Sequence, residues 1–313
     1  SIDIVSRINA SAAINPVNMT ALVLLATERY AMDAEVLAKV LTFLSDLQKA
    51  YPYSDTMTFA EGDGHDWIEY TESMRLIHRQ KQALGDIISL DDRNAISLTY
   101  NRNNILHFFA VPSLIACLLQ NNSSLEKQRL HSVFRAIYPY IKSELFLQWE
   151  SSEIDSVFDK WLSVLIENKL LIQKGDIIYR PEAGSTQFVY LSILSKFIIQ
   201  TLERYYISVA ILIQNGSGNI DASELEKQST LMAERMSIIF GLNAPEFFDK
   251  ALFRNFIGKL QEKDVITLNE NGKLNFSTQI EQVVEDASLV LKAELRQAIM
   301  EVTVIDQQII AQD

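Results

Sequence analysis

Residues 157–179 read VFDKWLSVLIENKLLIQKGDIIY, and this stretch decides the fold class. Its first half places Val157, Trp161 and Leu165 at intervals of four, which is the spacing of one buried helix face. Its second half changes to two short apolar runs on either side of Gly175, a residue suited to a tight turn. The stretch therefore predicts a helix that leads directly into a β-hairpin.

A second stretch, residues 252–276, repeats this pattern as LFRNFIGKLQEKDVITLNENGKLNF. Its helical positions follow the first set by 95 residues and its second strand follows by 97, so the later hairpin holds two extra residues. Asn271-Gly272 supplies a turn pair that is typical of hairpins. A helix followed by a tight hairpin is the outline of a winged-helix unit. The two stretches indicate either an internal duplication or convergent patterning.

The whole chain is predicted to be mainly α (α+β), a helical domain with small two-stranded β-hairpins and winged-helix-like units. Only ten glycines and six prolines occur in 313 residues. That is well under the roughly 12% of average usage, and it disfavours a β-sandwich or barrel. Three parts are expected: residues 1–122 with a hairpin at 86–100, residues 123–215 with a hairpin at 170–179 and a long helix, and residues 216–313 with a hairpin at 264–276 and a C-terminal helix.

The overall composition indicates a soluble chain from a reducing compartment. Cys117 is the only cysteine, so no internal disulfide can form. The first residues lack the basic start and apolar run of a signal peptide, and the missing initial Met indicates a sequence cut from something longer. The most apolar stretch, residues 105–119, contains His107 and Pro112 and is shorter than the ~18–20 residues of a membrane span. No transmembrane span is predicted.

Nucleic-acid binding, the first role that winged-helix units bring to mind, is not predicted. The helix before the first hairpin carries five acidic residues against two basic ones, a net charge of −3, which repels phosphates. The four histidines stand too far apart for a metal site, and the loop at residues 61–66 lacks the ligand spacing of an EF-hand. No nucleophile elbow or Gly-rich phosphate loop occurs in the sequence. The sequence thus predicts no catalytic residue, no metal ligand and no cofactor.

The densest polar cluster is YNRNN at residues 100–104, followed by His107. It stands at a predicted strand-to-helix junction, where free backbone N–H groups and the helix dipole favour anions. Arg102, Asn103, Asn104 and His107 are therefore candidates for a site that binds phosphate or carboxylate. The alternative is helix capping together with an interdomain contact through Arg102.

Four further patterns go together. They are residues 8–15 (INASAAIN), 100–107 (YNRNNILH), 138–149 (YPYIKSELFLQW) and 243–250 (NAPEFFDK). In this order and rough spacing they resemble the C-terminal part of the bacterial, membrane-associated glycerol-3-phosphate 1-O-acyltransferases, and the resemblance covers most of the chain. The family has two tyrosines before the arginine of the second segment, and here the second is Asn101.

The family's catalytic signature, His followed after four residues by Asp, does not occur in this sequence. The residues five positions beyond the four histidines are Tyr70, Ala83, Pro112 and Ala136. In the family, that His acts as general base on the glycerol hydroxyl. The family's Phe-Pro-Glu-Gly-type motif is missing as well. Because both motifs precede the matched region in the family, the resemblance implies a C-terminal, non-catalytic fragment that is inactive alone.

For the parent protein, the resemblance implies transfer of an acyl chain from acyl-CoA or acyl carrier protein to the sn-1 hydroxyl of glycerol 3-phosphate. The product, lysophosphatidic acid, leads to phospholipids. The implied partners are the upstream acyltransferase domain and the surface of the bacterial inner membrane, at its cytoplasmic face. The apolar helix at residues 103–119 is the candidate docking surface, and the alternative for this helix is ordinary packing in the core of the chain. The alternative hypothesis is an independent winged-helix-like scaffold that binds a partner protein.

Overall fold

The computed structural model describes residues 2–240 and 245–310, so Asn243 and Ala244 of the fourth family-like segment lie outside the described residues. The chain divides into two compact units, unit 1 (Ser1–Ile198) and unit 2 (Ile199–Asp313). Helices make up 64% of the structure and the sheets are small, which confirms the mainly α fold class. The predicted part boundaries at residues 122 and 215 stay predictions.

Unit 1 alternates helices with short strands. Its helices are α1 (Ile2–Ala10), α2 (Pro16–Leu25), α3 (Ala34–Ala50), α4 (Gly64–Ser73), α5 (Asp92–Asn103), α6 (Leu106–Gln120), α7 (Lys127–Leu145), α8 (Ile154–Glu167) and α9 (Thr186–Ser195). Its strands are β1 (Ala13–Ile14), β2 (Ala31–Asp33), β3 (Thr58–Phe59), β4 (His78–Gln80), β5 (Ile87–Ser89), β6 (Ser124–Glu126), β7 (Ile172–Lys174) and β8 (Ile177–Tyr179).

Unit 2 contains one hairpin among helices. Its elements are α10 (Ile199–Asn215), α11 (Ala222–Phe240), a 3₁₀ helix (Pro245–Phe248), α12 (Lys250–Glu262), β9 (Ile266–Leu268), β10 (Leu274–Phe276), α13 (Gln279–Val290) and α14 (Ala293–Ile310). The hairpins predicted at 170–179 and 264–276 are thus present as β7–β8 and β9–β10. The predicted long helix before residue 215 and the predicted C-terminal helix are each divided into two helices, by breaks at residues 196–198 and 291–292.

Two segments of unit 1 share one order of elements: helix, strand, two helices and a hairpin. The first runs α2-β2-α3-α4-β4-β5, with the additional short strand β3 between α3 and α4, and has sheet order β2-β5-β4. The second runs α6-β6-α7-α8-β7-β8 with order β6-β8-β7. Matching backbone bonds close the two sheets, from Ala34 N to Asp86 O at 2.8 Å and from Lys127 N to Asp176 O at 2.7 Å. Each of these two sheets therefore has one strand more than a hairpin, since a distant strand completes it.

Unit 2 repeats this order with a shorter first strand. Residues 218–220 follow α10 and pair with β10, because Gly218 N donates to Leu274 O at 2.9 Å and Leu274 N donates to Ile220 O at 2.7 Å. Helices α11 and α12 and the hairpin β9–β10 follow. The pattern shared by residues 157–179 and 252–276 is thus part of a longer common order that also occurs near the start of the chain.

All three segments leave the helix before the hairpin in the same way. Arg75, Lys169 and Asp264 adopt left-handed φ angles of 60°, 61° and 56°. The next N–H in each case bonds back to a carbonyl of the last helical turns, as Leu170 N does to Leu165 O at 2.9 Å. This closure satisfies carbonyls that the helix end would otherwise leave unpaired.

The hairpin predicted at residues 86–100 was wrong. Strand β5 exists, but it pairs with β4 and β2, and residues 95–100 lie in helix α5. The Asp91 side chain accepts a hydrogen bond from Asn94 N at 2.7 Å and so caps that helix. The alternation of apolar residues was misleading because Ile96 and Tyr100, four residues apart, share an exposed helix face.

Helix α6 lies at the centre of unit 1 and packs against α7, α8 and α9. Every residue from Leu106 to Leu119 is buried, so the prediction that this apolar helix is a docking surface was wrong. Among the described residues, no single helix has the length and apolar composition needed to cross a membrane, although α5 and α6 meet the test as a pair bent by 89°.

Candidate functional site

The predicted polar cluster lies between two helices. Arg102 and Asn103 end α5, and His107 stands in the first turn of α6, so the predicted strand-to-helix junction was wrong. Helix α5 begins after its N-cap at Asp91 and ends at Asn103. The carbonyl end of α5 thus faces the cluster, and the negative end of its dipole disfavours an anion there.

Arg102 is directed at its neighbour. It is only 9% exposed, and its Nε and Nη2 atoms donate to Asn103 Oδ1 at 3.1 and 2.9 Å. Asn103 and Asn104 are exposed and line an open groove beside α1, where the cation is Arg7. Asn103 and Asn104 of the predicted cluster therefore line the groove, whereas Arg102 does not and is bonded to Asn103.

His107 is buried and electrically neutral. Its Nε2 donates to Asn9 O at 3.0 Å, and the ring meets Tyr53 edge-on at 5.0 Å between centroids. Burial lowers the pKa of His107 from 6.5 to about 4, because the charged form would lose its hydration. At neutral pH this side chain can donate a hydrogen bond, but it cannot attract an anion by charge.

Side chains of α1 donate hydrogen bonds to the carbonyl groups at the end of α7. Asn9 Nδ2 donates to Leu145 O at 2.9 Å, and Ser6 Oγ donates to Phe146 O at 3.4 Å. These carbonyls belong to a helix end, where no partner within the helix is available. Thr56 Oγ1 donates in the same way to Ala10 O, the last carbonyl of α1, at 2.8 Å, and so does Ser54 Oγ.

We call these contacts, with the bond from His107 to Asn9, the α1 clasp. Tyr53 forms its aromatic side. Its hydroxyl accepts from Gln148 N at 2.9 Å, its carbonyl accepts from Gln148 Nε2, and its ring meets that of Trp149 at 4.8 Å. Burial raises the pKa of Tyr53 to about 12, so its phenol stays protonated. The Trp149 carbonyl accepts in turn from Tyr138 Oη at 2.8 Å.

Three of the four family-like segments therefore meet at one place. Residues 8–15, 100–107 and 138–149 supply Asn9, His107 and the chain from 145 to 149. Sequence reasoning missed Tyr53, since it stands in a loop outside every recognised pattern. It also gave no sign that Asn9 and His107 are in contact.

The groove beside α1 has a volume of ≈ 780 Å³. It is lined mainly by amides and small residues: Ile4, Arg7, Ile8, Asn9, Ser11, Ala12, Ala13, Asn15, Asn18, Asn103 and Asn104. Ile4 and Ile8 are each 63% exposed. Asn15 and Asn18 bond to each other's backbone N–H as a capping box of α2, which fixes the groove's floor.

Other reactive side chains have structural partners. Within residues 2–240 and 245–310, no group of three or more His, Cys, Asp or Glu residues could hold a metal ion. Cys117 is buried and its Sγ donates to Ser195 O at 3.0 Å. His131 Nε2 lies 3.0 Å from Asp155 Oδ1. These contacts are those of core and surface packing.

Comparisons with known proteins give one family. A model described as the glycerol-3-phosphate acyltransferase C-terminal region matches residues 1–269. Similar curated proteins named glycerol-3-phosphate acyltransferase occur in Pseudomonas paraeruginosa strain PA7, Pseudomonas aeruginosa strain LESB58 and Pseudomonas fluorescens strain Pf0-1. The first two are 46% identical over 301 residues and the third is 45% identical over 300. Each match covers 96% of this chain and 36% of the relative's length.

Proposed function

Because the chain belongs to the glycerol-3-phosphate acyltransferase C-terminal region family, we propose that it is the non-catalytic C-terminal region of a glycerol-3-phosphate 1-O-acyltransferase. The observation that carries this proposal is the family match over residues 1–269, combined with a chain that spans only 36% of its relatives' length. The missing His-x-x-x-x-Asp motif agrees with a catalytic centre elsewhere in the full-length protein.

The proposed reaction of the full-length protein moves an acyl chain from acyl-CoA or acyl carrier protein to the sn-1 hydroxyl of glycerol 3-phosphate. The proposed partner of this chain is the upstream acyltransferase domain of the same protein. We place that protein at the cytoplasmic face of the inner membrane. The α1 clasp supports a structural role, because Asn9 and His107, which belong to the family-like segments, form hydrogen bonds that hold helix ends together.

An acyl-transfer assay tests this proposal. We expect the isolated 313-residue chain to form no lysophosphatidic acid above background, because no general base of the required motif is present. The full-length protein, assayed with the same acyl donor and glycerol 3-phosphate, is the positive control. Turnover by the isolated chain would contradict the non-catalytic role, and an inactive full-length protein would contradict the proposed reaction.

Arg102 provides a second test of how the predicted anion cluster works. In the full-length enzyme, we expect Arg102→Ala to lower the free energy of unfolding by about 1–3 kcal/mol, because a buried hydrogen-bonding group is removed. We expect the KM for glycerol 3-phosphate and for the acyl donor to change less than about twofold, since the guanidinium is held by Asn103. A raised KM with unchanged stability would instead support the anion site.

A second candidate function is an independent protein-binding scaffold built from winged-helix-like units. It is favoured by the element order that recurs three times along the chain. Nucleic acid is a poor partner for such units here, because the charged residues of α8 are mostly acidic and repel phosphates. They are Asp155, Asp159 and Glu167 against the single Lys160. A stable partner captured by this chain, with no acyltransferase domain encoded upstream, would favour the scaffold over the acyltransferase.

A further inference from the structure

We propose that the groove beside α1 is the surface on which the acyltransferase domain of the full-length protein docks. The proposed anchors are Ile4 and Ile8, and the proposed polar contacts are Arg7, Asn103 and Asn104. This inference rests on the proposed function, since it assigns to one surface of unit 1 the contact with the upstream acyltransferase domain.

The first argument is the exposed face of α1. Ile4, Arg7 and Ile8 are spaced three and four residues apart, so they share one side of the helix. Both isoleucines are 63% exposed and line the groove, whereas Ser6 and Asn9 donate hydrogen bonds to the end of α7 in the clasp. A large apolar side chain gains about 1.5–3 kcal/mol when a partner covers it completely, so this pair can anchor an interface.

The second argument is that this face is held rigidly. The side chains of Asn9 and Ser6 bind the end of α7, and the carbonyls of Asn9 and Ala10 accept from His107 and Thr56. A surface that is already ordered loses little conformational freedom when it binds. The contacts of the clasp therefore present Ile4 and Ile8 in one fixed orientation.

The third argument is the polar chemistry of the groove. Arg7 is exposed and lines the groove, so its guanidinium can pair with a carboxylate from a partner. The Asn103 amide offers its N–H donors, since its oxygen accepts from Arg102, and the exposed Asn104 amide carries both a donor and an acceptor, which suits the C=O and N–H groups of a polypeptide. Asn103 and Asn104 line the same groove as these anchors, so a protein segment fits the combination of apolar and polar groups.

The occupant is chosen from the length of the relatives. The chain covers 36% of each Pseudomonas relative, so most of the polypeptide in those proteins lies outside the matched region. A domain on the same polypeptide is present at a high effective concentration, so a small anchoring surface suffices for it. We therefore assign the groove to that domain rather than to a separate protein or a lipid surface.

Cysteine labelling tests this assignment in the full-length protein. Ile8→Cys places a thiol in the groove, and Ile96→Cys is the matched control, since Ile96 lies on α5 of the same unit and is 57% exposed against 63%. The two variants are treated with N-ethylmaleimide without lipid, and mass spectrometry measures the labelling of each peptide. Cys117 is buried and reports on the fold, because its labelling signals unfolding.

We expect Ile8→Cys to react at least about tenfold more slowly than Ile96→Cys in the full-length protein, and at a similar rate in the 313-residue chain. Ile4→Cys serves as a second probe if the first variant exposes Cys117. Equal rates for the groove and control thiols in the full-length protein would overturn the docking surface. Protection that appears only when anionic lipid vesicles are added would overturn it too, and would assign the groove to a membrane.

The same samples separate this inference from the proposed function. Equal labelling in a full-length protein that transfers acyl chains normally contradicts the docking surface alone. A full-length protein without acyltransferase activity contradicts the proposed function, whatever the labelling rates are.

Discussion

Substitution of Gly64 by alanine is expected to destabilise unit 1 by about 3 kcal/mol, because the new side chain has no space. A Cβ atom at this position would lie 1.9 Å from Ala38 O and 2.6 Å from Ala38 C. Those atoms belong to the backbone of α3, which cannot rotate away as a side chain could. Gly64 N also donates to Thr42 Oγ1 of α3 at 2.9 Å, so a shift of α4 away from α3 breaks this bond.

Gly258 provides the matched control. It lies within α12, where an added Cβ would have no atom within 4 Å, and its backbone is helical. Gly258→Ala is expected to leave stability unchanged or to raise it by about 0.5–1 kcal/mol, since alanine favours the helix. Hydrogen exchange of the α3 and α4 amides, together with thermal unfolding, measures both effects. Similar results for the two variants would show that α3 and α4 are not in the close contact described.

The stability of unit 1 is expected to fall steeply in acid because of His107. Its pKa is about 4 in the folded protein, where burial disfavours the charge, against 6.5 for an ordinary histidine. Above pH 6.5 neither state is protonated, so the full stability is present. Below pH 6.5 the unfolded state binds a proton that the folded state does not, and the free energy of unfolding falls by about 1.4 kcal/mol per pH unit. The loss is expected to end near pH 4, at about 3 kcal/mol in total.

Two substitutions separate this proton effect from the hydrogen bond. His107→Gln and His107→Phe both remove the titrating ring, but only glutamine can donate to Asn9 O. Denaturant unfolding between pH 7.5 and 4.5 is the measurement. Relative to both variants, the wild-type protein should lose stability below pH 6.5, whereas the gap between the two variants should stay constant. A wild-type pH slope equal to that of the variants would contradict a neutral, buried His107.

The two later hairpins could be predicted because their signals are local. Gly175 and Gly272 have left-handed φ angles of 60° and 72°, as tight turns require, and apolar residues flank both of them. The hairpin β4–β5 has no such signal. Six residues separate its strands, and the only glycine among them, Gly85, stands near the second strand rather than in the middle of the connection. The helix at residues 95–100 was missed since Ala95, Ile96 and Leu98 fit a strand pattern as well as a helical one.

The candidate site was predictable only in its parts. The resemblance to the acyltransferase family is confirmed, and its segments correctly included Asn9 and His107. Their contact spans 98 residues, and the bond from Asn9 to Leu145 spans 136. Patterns of residue spacing within one short segment cannot predict contacts between residues so far apart in the sequence. Tyr53 belonged to none of the recognised patterns.

The sequence by itself determined the family, the mainly α class, the helices that precede the two later hairpins, and the turns of those hairpins. These features depend on residue type and on spacing within a few turns of chain, which the sequence displays directly. Only the tertiary structure decided which strand completes each sheet, that Arg102 turns toward Asn103, and that His107 is buried and neutral. The physical reason is that hydrogen bonding between distant helix ends and the loss of hydration depend on neighbours that folding brings together.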